Sequence, residues 1–319
     1  MKLPDLNFQE VRTTDLDGRH SKVKVDDFAK PLKEKASLAE FFQGLPNILA
    51  AADLHEAAGR IAAAKKAGRP VFLGLGGHVI KVGLGPVIID LMRRGLIDGL
   101  AANGSVMVHD AEAALVGATS EDVGATLGSG DFGVTAQTGE LINKAAQLAA
   151  FTSSGLGLKV GEAIAALRPP HLQVSVLAAA ARLGLPFTIH AAVGTDVYNI
   201  HPEADGASLG AATMNDFHLF CRMTAALSGG VFINLGSAVI LPEVFLKALT
   251  LVRNLGHEVD DLTTINMDFI RHYRPAVNVV SRPTQDGGRG FYFIGHHEIM
   301  FPLLMSLVLT KIGEAPEKG

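Results

Sequence analysis

Tryptophan is absent from this chain, tyrosine occurs three times and cysteine once. The lone Cys221 excludes an internal disulfide and suits a reducing compartment. No apolar run is long enough to span a bilayer, and stretches such as Val231 to Leu241 are broken by Asn and Gly. Met1 leads into a polar segment without the apolar core of a secretion signal, so a cytoplasmic location is expected. A basic block is also missing, and the net charge is −4. Nucleic acid and membrane are therefore not expected partners, and a small-molecule substrate is.

What remains is a core-rich composition. Apolar residues make up 48% of the 319 positions and charged residues 19%, which places the chain among globular proteins rather than disordered ones. Glycine is abundant at 35 residues, which fits tightly packed elements with close backbone approaches.

Residues 1–36 are polar, with Lys and Asp runs, and read as an N-terminal arm with little regular structure. Helical periodicity begins at Ser37, a good N-cap, with Leu38, Phe41, Phe42, Leu45 and Ile48 on one face. A second helix is expected over Asp53–Ala67. Strand and helix then alternate: strands over Val71–Leu75, Gly99–Asn103, Phe187–Ala192, Val231–Leu235, Thr263–Met267, Ala276–Val280 and Gly290–Ile294. The intervening helices are expected at Pro86–Arg94, Asp110–Val116, Thr138–Phe151, Val160–Leu167, Val174–Leu183, Ala211–Ser228, Pro242–Asn254 and Phe301–Lys311. Such alternation with apolar strands predicts an α/β fold: a Rossmann-like, doubly wound, mainly parallel sheet with helices on both faces. No linker-like stretch divides residues 37–319, so one domain is expected there.

Ligands of open parallel sheets bind outside the C-terminal ends of the strands, and the polar residues gather at those ends. Val71-Phe-Leu-Gly-Leu-Gly-Gly-His78 runs from a strand into a glycine-rich turn, and Val79-Ile-Lys-Val-Gly-Leu-Gly-Pro86 leads into a helix. The turn offers Gly74, Gly76 and Gly77 to a cofactor. The next strand ends in Asn103, Gly104 and Ser105, followed by His109, Asp110 and Glu112. After the strand at Phe187 come Asp196, His201 and Asp205. Gly236, Ser237 and Glu243 follow the strand at Val231, and His296 follows the last one.

His109, Asp110, His190 and His201 are the candidate catalytic residues, because imidazole titrates near neutral pH. Gly74, Gly76, Gly77, Asn103, Gly104, Gly236 and Ser237 are the candidate cofactor contacts. Glu112, Asp196, Asp205, Glu243 and His296 are the candidate substrate contacts, which favours a polar, cationic ligand. Each has a plainer reading. Gly74 to Gly77 lacks the full dinucleotide spacing and also suits a tight turn. Asp110 suits a helix cap, and His190 a core histidine. His190, Asp196 and His201 have the residue types of a metal site, which makes a metal-assisted hydrolase or lyase the alternative. A non-catalytic nucleotide-binding protein is the third reading. Cys221 reads as an inert core thiol.

The order of these motifs resembles the deoxyhypusine synthase family. The resemblance is carried by Val71 to Asp98, by the Asn103-Gly104-Ser105 turn with His109-Asp110-Ala-Glu112, and by either Thr195-Asp196 or Asp205-Gly-Ala-Ser-Leu-Gly210. It continues through Val231-Phe-Ile-Asn-Leu-Gly-Ser-Ala-Val-Ile-Leu-Pro-Glu243 and Phe291-Tyr-Phe-Ile-Gly-His-His-Glu-Ile-Met-Phe-Pro-Leu-Leu304. These motifs run from Val71 to Leu304, and the resemblance as a whole covers roughly residues 37–312. The resemblance implies a Rossmann-like domain, NAD at the C-terminal strand edge, a homotetramer, and transfer of an aminobutyl group through a lysine imine. The family's Trp-Gly-Lys segment has no counterpart here. Between Val280 and Phe291 the chain reads Ser-Arg-Pro-Thr-Gln-Asp-Gly-Gly-Arg-Gly, with no lysine. Leu241-Pro242-Glu243 stands where the family has a His-His pair. The expectation is a relative that keeps the scaffold and an NAD pocket but runs a different oxidoreductase or transferase reaction on a small polar or amine-bearing substrate.

Overall fold

A computed structural model describes residues 1–313 of the chain. They fall into two compact units, Met1–Asp53 and the chain from Leu54 onward. In the first unit, regular structure consists of single 3-10 turns at Phe8–Glu10 and Val25–Asp27, helix α1 (Leu38–Gln43) and the first residues of the helix that starts at Leu49. Ser37 caps α1 through a reciprocal box. Its Oγ accepts the Glu40 N–H at 3.2 Å, and the Glu40 carboxylate accepts the Ser37 N–H at 2.9 Å. The helix stops at Gly44, so the apolar periodicity that continues to Ile48 overruns it. Helix α2 (Leu49–Lys66) begins four residues before the expected Asp53.

The second unit is built on six strands: β1 (Val71–Leu75), β2 (Gly99–Asn103), β3 (Phe187–His190), β4 (Val231–Leu235), β5 (Leu262–Asp268) and β6 (Gly288–Ile294). Their order is β3-β2-β1-β4-β5-β6, and every pairing is parallel. The connections run over α3 (Gly77–Lys81), α4 (Gly85–Arg93), α5 (Gly104–Val116), α6 (Val123–Thr126), α7 (Ala136–Phe151), α8 (Leu156–Leu167) and α9 (Val176–Leu183). They continue over α10 (Gly206–Ala225), α11 (Ile240–Asn254), α12 (Tyr273–Pro275) and α13 (His297–Gly313). All residues of β1, β4 and β5 are buried, so helices cover both sheet faces. On one face Phe72, Ala101 and Phe232 pack beneath Phe220 of α10 and Phe245 of α11, with Phe232 stacked on Phe245 at 4.2 Å. The chain reverses its winding between β1 and β4, the place where such sheets leave a crevice.

One expected strand is a helix. Ala276–Val280 has the β-branched content of a strand but lies in a π-helical stretch, Ala276–Ser281, that follows directly from α12. The sheet has no room for it, because β5 and β6 already pair with each other along their length. Val279 is fully buried in the α10–α11 core, and a Cβ on Gly290 of β6 would come within 2.1 Å of the Val280 carbonyl oxygen. Burial against a completed sheet outweighs strand propensity here.

Gly59 lies inside α2, and nothing stands within 4 Å of a Cβ built there. Glycine costs roughly 0.5–1 kcal/mol in a helix interior. Gly59→Ala is therefore expected to raise the unfolding free energy by about that amount in urea titrations; an unchanged or lower midpoint would contradict the assignment.

Candidate functional site

The C-terminal end of β2 is where the chain encloses space. Asn103 enters α5 in extended conformation and makes no side-chain cap; its Oδ1 instead accepts the Ser105 hydroxyl at 3.0 Å. Two glycines let the neighbours close in. A Cβ on Gly104 would fall 2.2 Å from Asp196 Oδ2, and one on Gly77 would fall 2.4 Å from Ser105 Oγ. The loop after β3 and helix α3 thus press directly onto the start of α5. Between them is a cavity of about 170 Å³ lined by Lys81, Ser105, His109, Glu112, Glu121, Phe132, Thr138, Asp196 and Tyr198, among others.

One turn into α5, His109 and Glu112 lie on the cavity side and are bridged by Thr119 from the following loop. The Thr119 hydroxyl donates to Glu112 Oε2 at 2.5 Å and sits 2.8 Å from His109 Nδ1. A hydroxyl has one proton, and the carboxylate takes it. Thr119 Oγ1 therefore accepts from His109, which fixes the Nδ1–H tautomer and leaves Nε2 with a free lone pair. Burial pushes the Glu112 carboxyl up, but hydrogen bonds from His109 and Thr119 outweigh it and hold the pKa below the usual value. An imidazole oriented by a hydroxyl and a carboxylate, with its second nitrogen unused, is a general-base arrangement.

Asp196 forms the opposite wall. Its Oδ2 accepts the Ala192 N–H at 2.9 Å and the Tyr198 hydroxyl at 2.8 Å. Burial raises the pKa of both Asp196 and Tyr198.

The other expected site residues lie elsewhere. Asp110 follows His109 but points away from the cavity and is fully buried. It accepts the Ser175 hydroxyl at 2.5 Å and the N–H groups of Val176 and Leu177, so it anchors the start of α9 and is no catalytic acid; burial lifts its pKa to about 6. His190 packs edge-on to Phe220 at 5.3 Å, with Nε2 at 3.1 Å from Thr188 Oγ1. Burial lowers its pKa to about 3, so it is a neutral core histidine. His201 stacks over Gly139, where a Cβ would fall 2.2 Å from the ring. His190, Asp196 and His201 form no metal site: among the described residues no group of three or more His, Cys, Asp and Glu is placed to hold an ion.

Asp205 is an exposed N-cap of α10, its pKa lowered by the Ser208 hydroxyl and N–H. Glu243, in the first turn of α11, pairs with Lys247 and with Arg274 at 3.4 Å and accepts from Asn278. His296 is exposed, and its carbonyl accepts the Ile299 and Met300 N–H groups at the start of α13. Ser237 Oγ accepts the Leu241 N–H at 3.2 Å at the start of α11. The glycine turn is closed by protein. A Cβ on Gly76 would meet the Gly236 carbonyl oxygen at 2.0 Å, and one on Gly74 would meet Leu241 at 2.9 Å.

Sequence reasoning missed Thr119, Lys81 and Tyr198. It also missed a polar group beside the β1–β4 crossover, where His297 covers Gly236. The His297 ring is 1% exposed, neither nitrogen has a hydrogen-bond partner, and Nε2 is 3.7 Å from the buried Asp268. Only the register of α13 distinguishes buried His297 from exposed His296; no sequence signal separates them. Thr119 lies in a loop without periodicity, so nothing in the sequence marks it.

No protein-family model matches the chain, and no curated protein matches it. Among solved structures, a protein of Entamoeba histolytica provisionally named a deoxyhypusine synthase superposes with a TM-score of 0.50 at 12% identity, covering 87% of this chain and 94% of that one. AgrE, solved in a complex with ornithine and NAD+, gives a TM-score of 0.47 at 15% identity over 81% of this chain and 32% of its own. A Methanococcus maripaludis S2 protein described as LOR/SDH gives 0.48 at 15%, over 88% and 70%. The chain spans about a third of the length of AgrE and ArgZ. The Entamoeba likeness shows a shared fold, a six-stranded parallel sheet in a Rossmann-like α/β architecture. Among the described residues no helix is long and apolar enough to cross a membrane.

Proposed function

We propose that this chain is an NAD-using enzyme that moves a proton on a small, polar, amine-bearing substrate held in the β2–β3 cavity. The observation that carries the reading is the His109–Thr119–Glu112 chain ending in an enclosed, mixed-charge space at the C-terminal strand edge. His109 Nε2 accepts the substrate proton, Thr119 holds the ring in place, and the Glu112 carboxylate stabilises the imidazolium that forms.

The residues fit NAD through main-chain donors rather than open glycine cradles, since Gly74, Gly76, Gly77 and Gly104 are all backed by protein. The first-turn N–H groups of α5 have no intrahelical acceptor, and Asn103 supplies no side-chain cap. At 170 Å³ the cavity is below the roughly 300–1,000 Å³ of drug-sized ligand pockets, so it suits the substrate alone. A groove of about 600 Å³ shares Glu112, Ser120, Glu121, Thr135 and Thr138 with it; it runs along the C-terminal half of α5, has no lysine or arginine in its lining, and offers room for the uncharged part of a dinucleotide rather than its pyrophosphate. NAD, when bound, supplies a hydride acceptor.

Calorimetry and thermal melts with excess NAD are expected to show heat and a raised melting temperature. The absence of both signals would remove the reading. His109→Gln is expected to reduce turnover about 10²–10⁴-fold in an NADH-forming assay over a panel of amines, while NAD binding stays at the wild-type level.

A further inference from the structure

Resting on the acid–base reading above, we propose that the cavity selects a short zwitterion. The substrate would be an amino acid whose carboxylate pairs with Lys81 and whose distal ammonium group pairs with Asp196 and Glu121.

Charge is the first argument. Lys81 is the sole lysine or arginine lining the cavity, against three carboxylates. Among the described residues its side chain makes no hydrogen bond or ion pair, although those carboxylates line the same space. The cation and the anions therefore stand more than 4 Å apart on the lining of one cavity, and a molecule with one charge at each end pairs with both. A diamine brings a like charge to Lys81, and a simple acid leaves Asp196, whose carboxyl is pushed up by burial, without a cation.

Free valence is the second. Both hydrogen bonds to Asp196 end on Oδ2, so Oδ1 has no protein donor. Glu121 accepts the Gly133 N–H at 2.9 Å on Oε2 and keeps Oε1 free. Glu112, by contrast, is committed to Thr119. An ammonium group near Asp196 also relieves the burial that raises its pKa.

Shape is the third. Val108, Val123 and Phe132 supply apolar wall to the same cavity, which suits a methylene chain. A volume of about 170 Å³ is close to that of an engineered cavity that takes up benzene, so the chain must be short.

Ornithine, putrescine and valerate, compared by calorimetry on the full chain, test this directly. Ornithine is expected to bind at least about tenfold more tightly than either of the others. Lys81→Met is expected to weaken ornithine about tenfold or more, the effect of losing one charge-assisted contact, to tighten putrescine by relieving the like-charge contact, and to leave NAD unchanged. Lys81→Arg should retain most of the affinity. Lys81 is exposed and unpaired, so the Met variant should melt with the wild type. If it melts early, Glu121→Gln reads the other end: weaker ornithine and putrescine, unaltered valerate. Putrescine binding as tightly as ornithine, or wild-type ornithine affinity in Lys81→Met, overturns the proposal. A loss of NAD affinity in that variant also overturns it, by assigning Lys81 to a cofactor phosphate. NAD binding without discrimination among the three probes defeats this inference alone, whereas absence of NAD and of all probe binding defeats the underlying reading too.

Discussion

Gly76→Ala is expected to abolish or nearly abolish folding. β1 and β4 pair in register up to Leu75 and Leu235, and the Gly76 N–H continues the ladder to the Leu235 carbonyl at 2.9 Å. A Cβ on Gly76 would fall 2.0 Å from the Gly236 oxygen, 2.5 Å from its carbon and 3.1 Å from the Ser237 nitrogen. All three are backbone atoms, so no side chain can rotate away. Relief requires parting β1 from β4, or moving a loop whose Gly236 is itself held at φ +70° beneath His297. Ordinary overpacking costs about 1–3 kcal/mol because side chains give way. Here the cost should exceed about 3 kcal/mol, a large part of the 5–15 kcal/mol that holds a typical domain together. The measurement is the guanidinium midpoint, with soluble yield as a second readout. A variant that unfolds at the wild-type midpoint would show that the two loops are not packed in this way. Gly59→Ala, built into open space, is the control of opposite sign.

Asp216→Asn is expected to change how stability depends on pH. Asp216 of α10 is fully buried, and its Oδ2 accepts the Gly157 N–H at 2.9 Å and the Ile189 N–H at 2.8 Å. Its Oδ1 has no partner. Burial lifts the pKa from 3.8 to about 7, even though these N–H groups favour the charged form. Between about pH 4 and pH 7, then, the folded chain carries a proton here that the unfolded chain has released. Unfolding releases that proton, so raising the pH favours the unfolded state. The contribution is complete below the unfolded pKa and is lost as the pH rises through about 7. The shift corresponds to a loss on the order of 4 kcal/mol across that window, and Asn removes it.

His190 has the opposite sign. Its pKa falls from 6.5 to about 3, so its contribution is lost as the pH falls below 6.5. The wild-type curve therefore mixes two opposed slopes, and the informative quantity is the difference between Asp216→Asn and wild type. That difference should grow in favour of the variant from pH 4 to pH 8 in urea titrations. A constant difference would mean that Asp216 does not change its protonation on folding.

The strands were largely legible because they are buried on both faces. Continuous runs such as Val71–Leu75 and Val231–Leu235 can serve little else between glycine and polar punctuation, and both lie within one residue of expectation. Ala276–Val280 misled for the same reason: a buried helical turn rich in valine has no local mark that separates it from a strand. Helix starts were less legible. α5 begins at Gly104, six residues before the expected Asp110, because the cap asparagine and two small residues carry no apolar periodicity.

The site was legible only in part. His109, Glu112 and Asp196 line the cavity, and all three were chosen because they follow strand ends. Asp110, Asp205 and Glu243 were chosen on the same ground and do structural work. A carboxylate near a strand end serves equally as a helix cap, an anchor or a ligand contact, and sequence position is identical for all three. Asp110 and His109 are adjacent in sequence, yet the 100° turn between successive helical positions sends one to α9 and the other to the cavity.

The sequence by itself determined the layered α/β plan, since period, punctuation and apolar content are local properties read along one dimension. It also located the edge of the sheet at which polar chemistry collects. Tertiary structure alone decided which polar side chains meet. Thr119 joins His109 to Glu112 across a loop, Lys81 and Asp196 line one cavity from different crossovers, and Gly76 abuts Gly236 from residues 160 positions further along the chain. Those distances depend on strand order and helix register, which arise from burial summed over the whole core and leave no trace in any short segment.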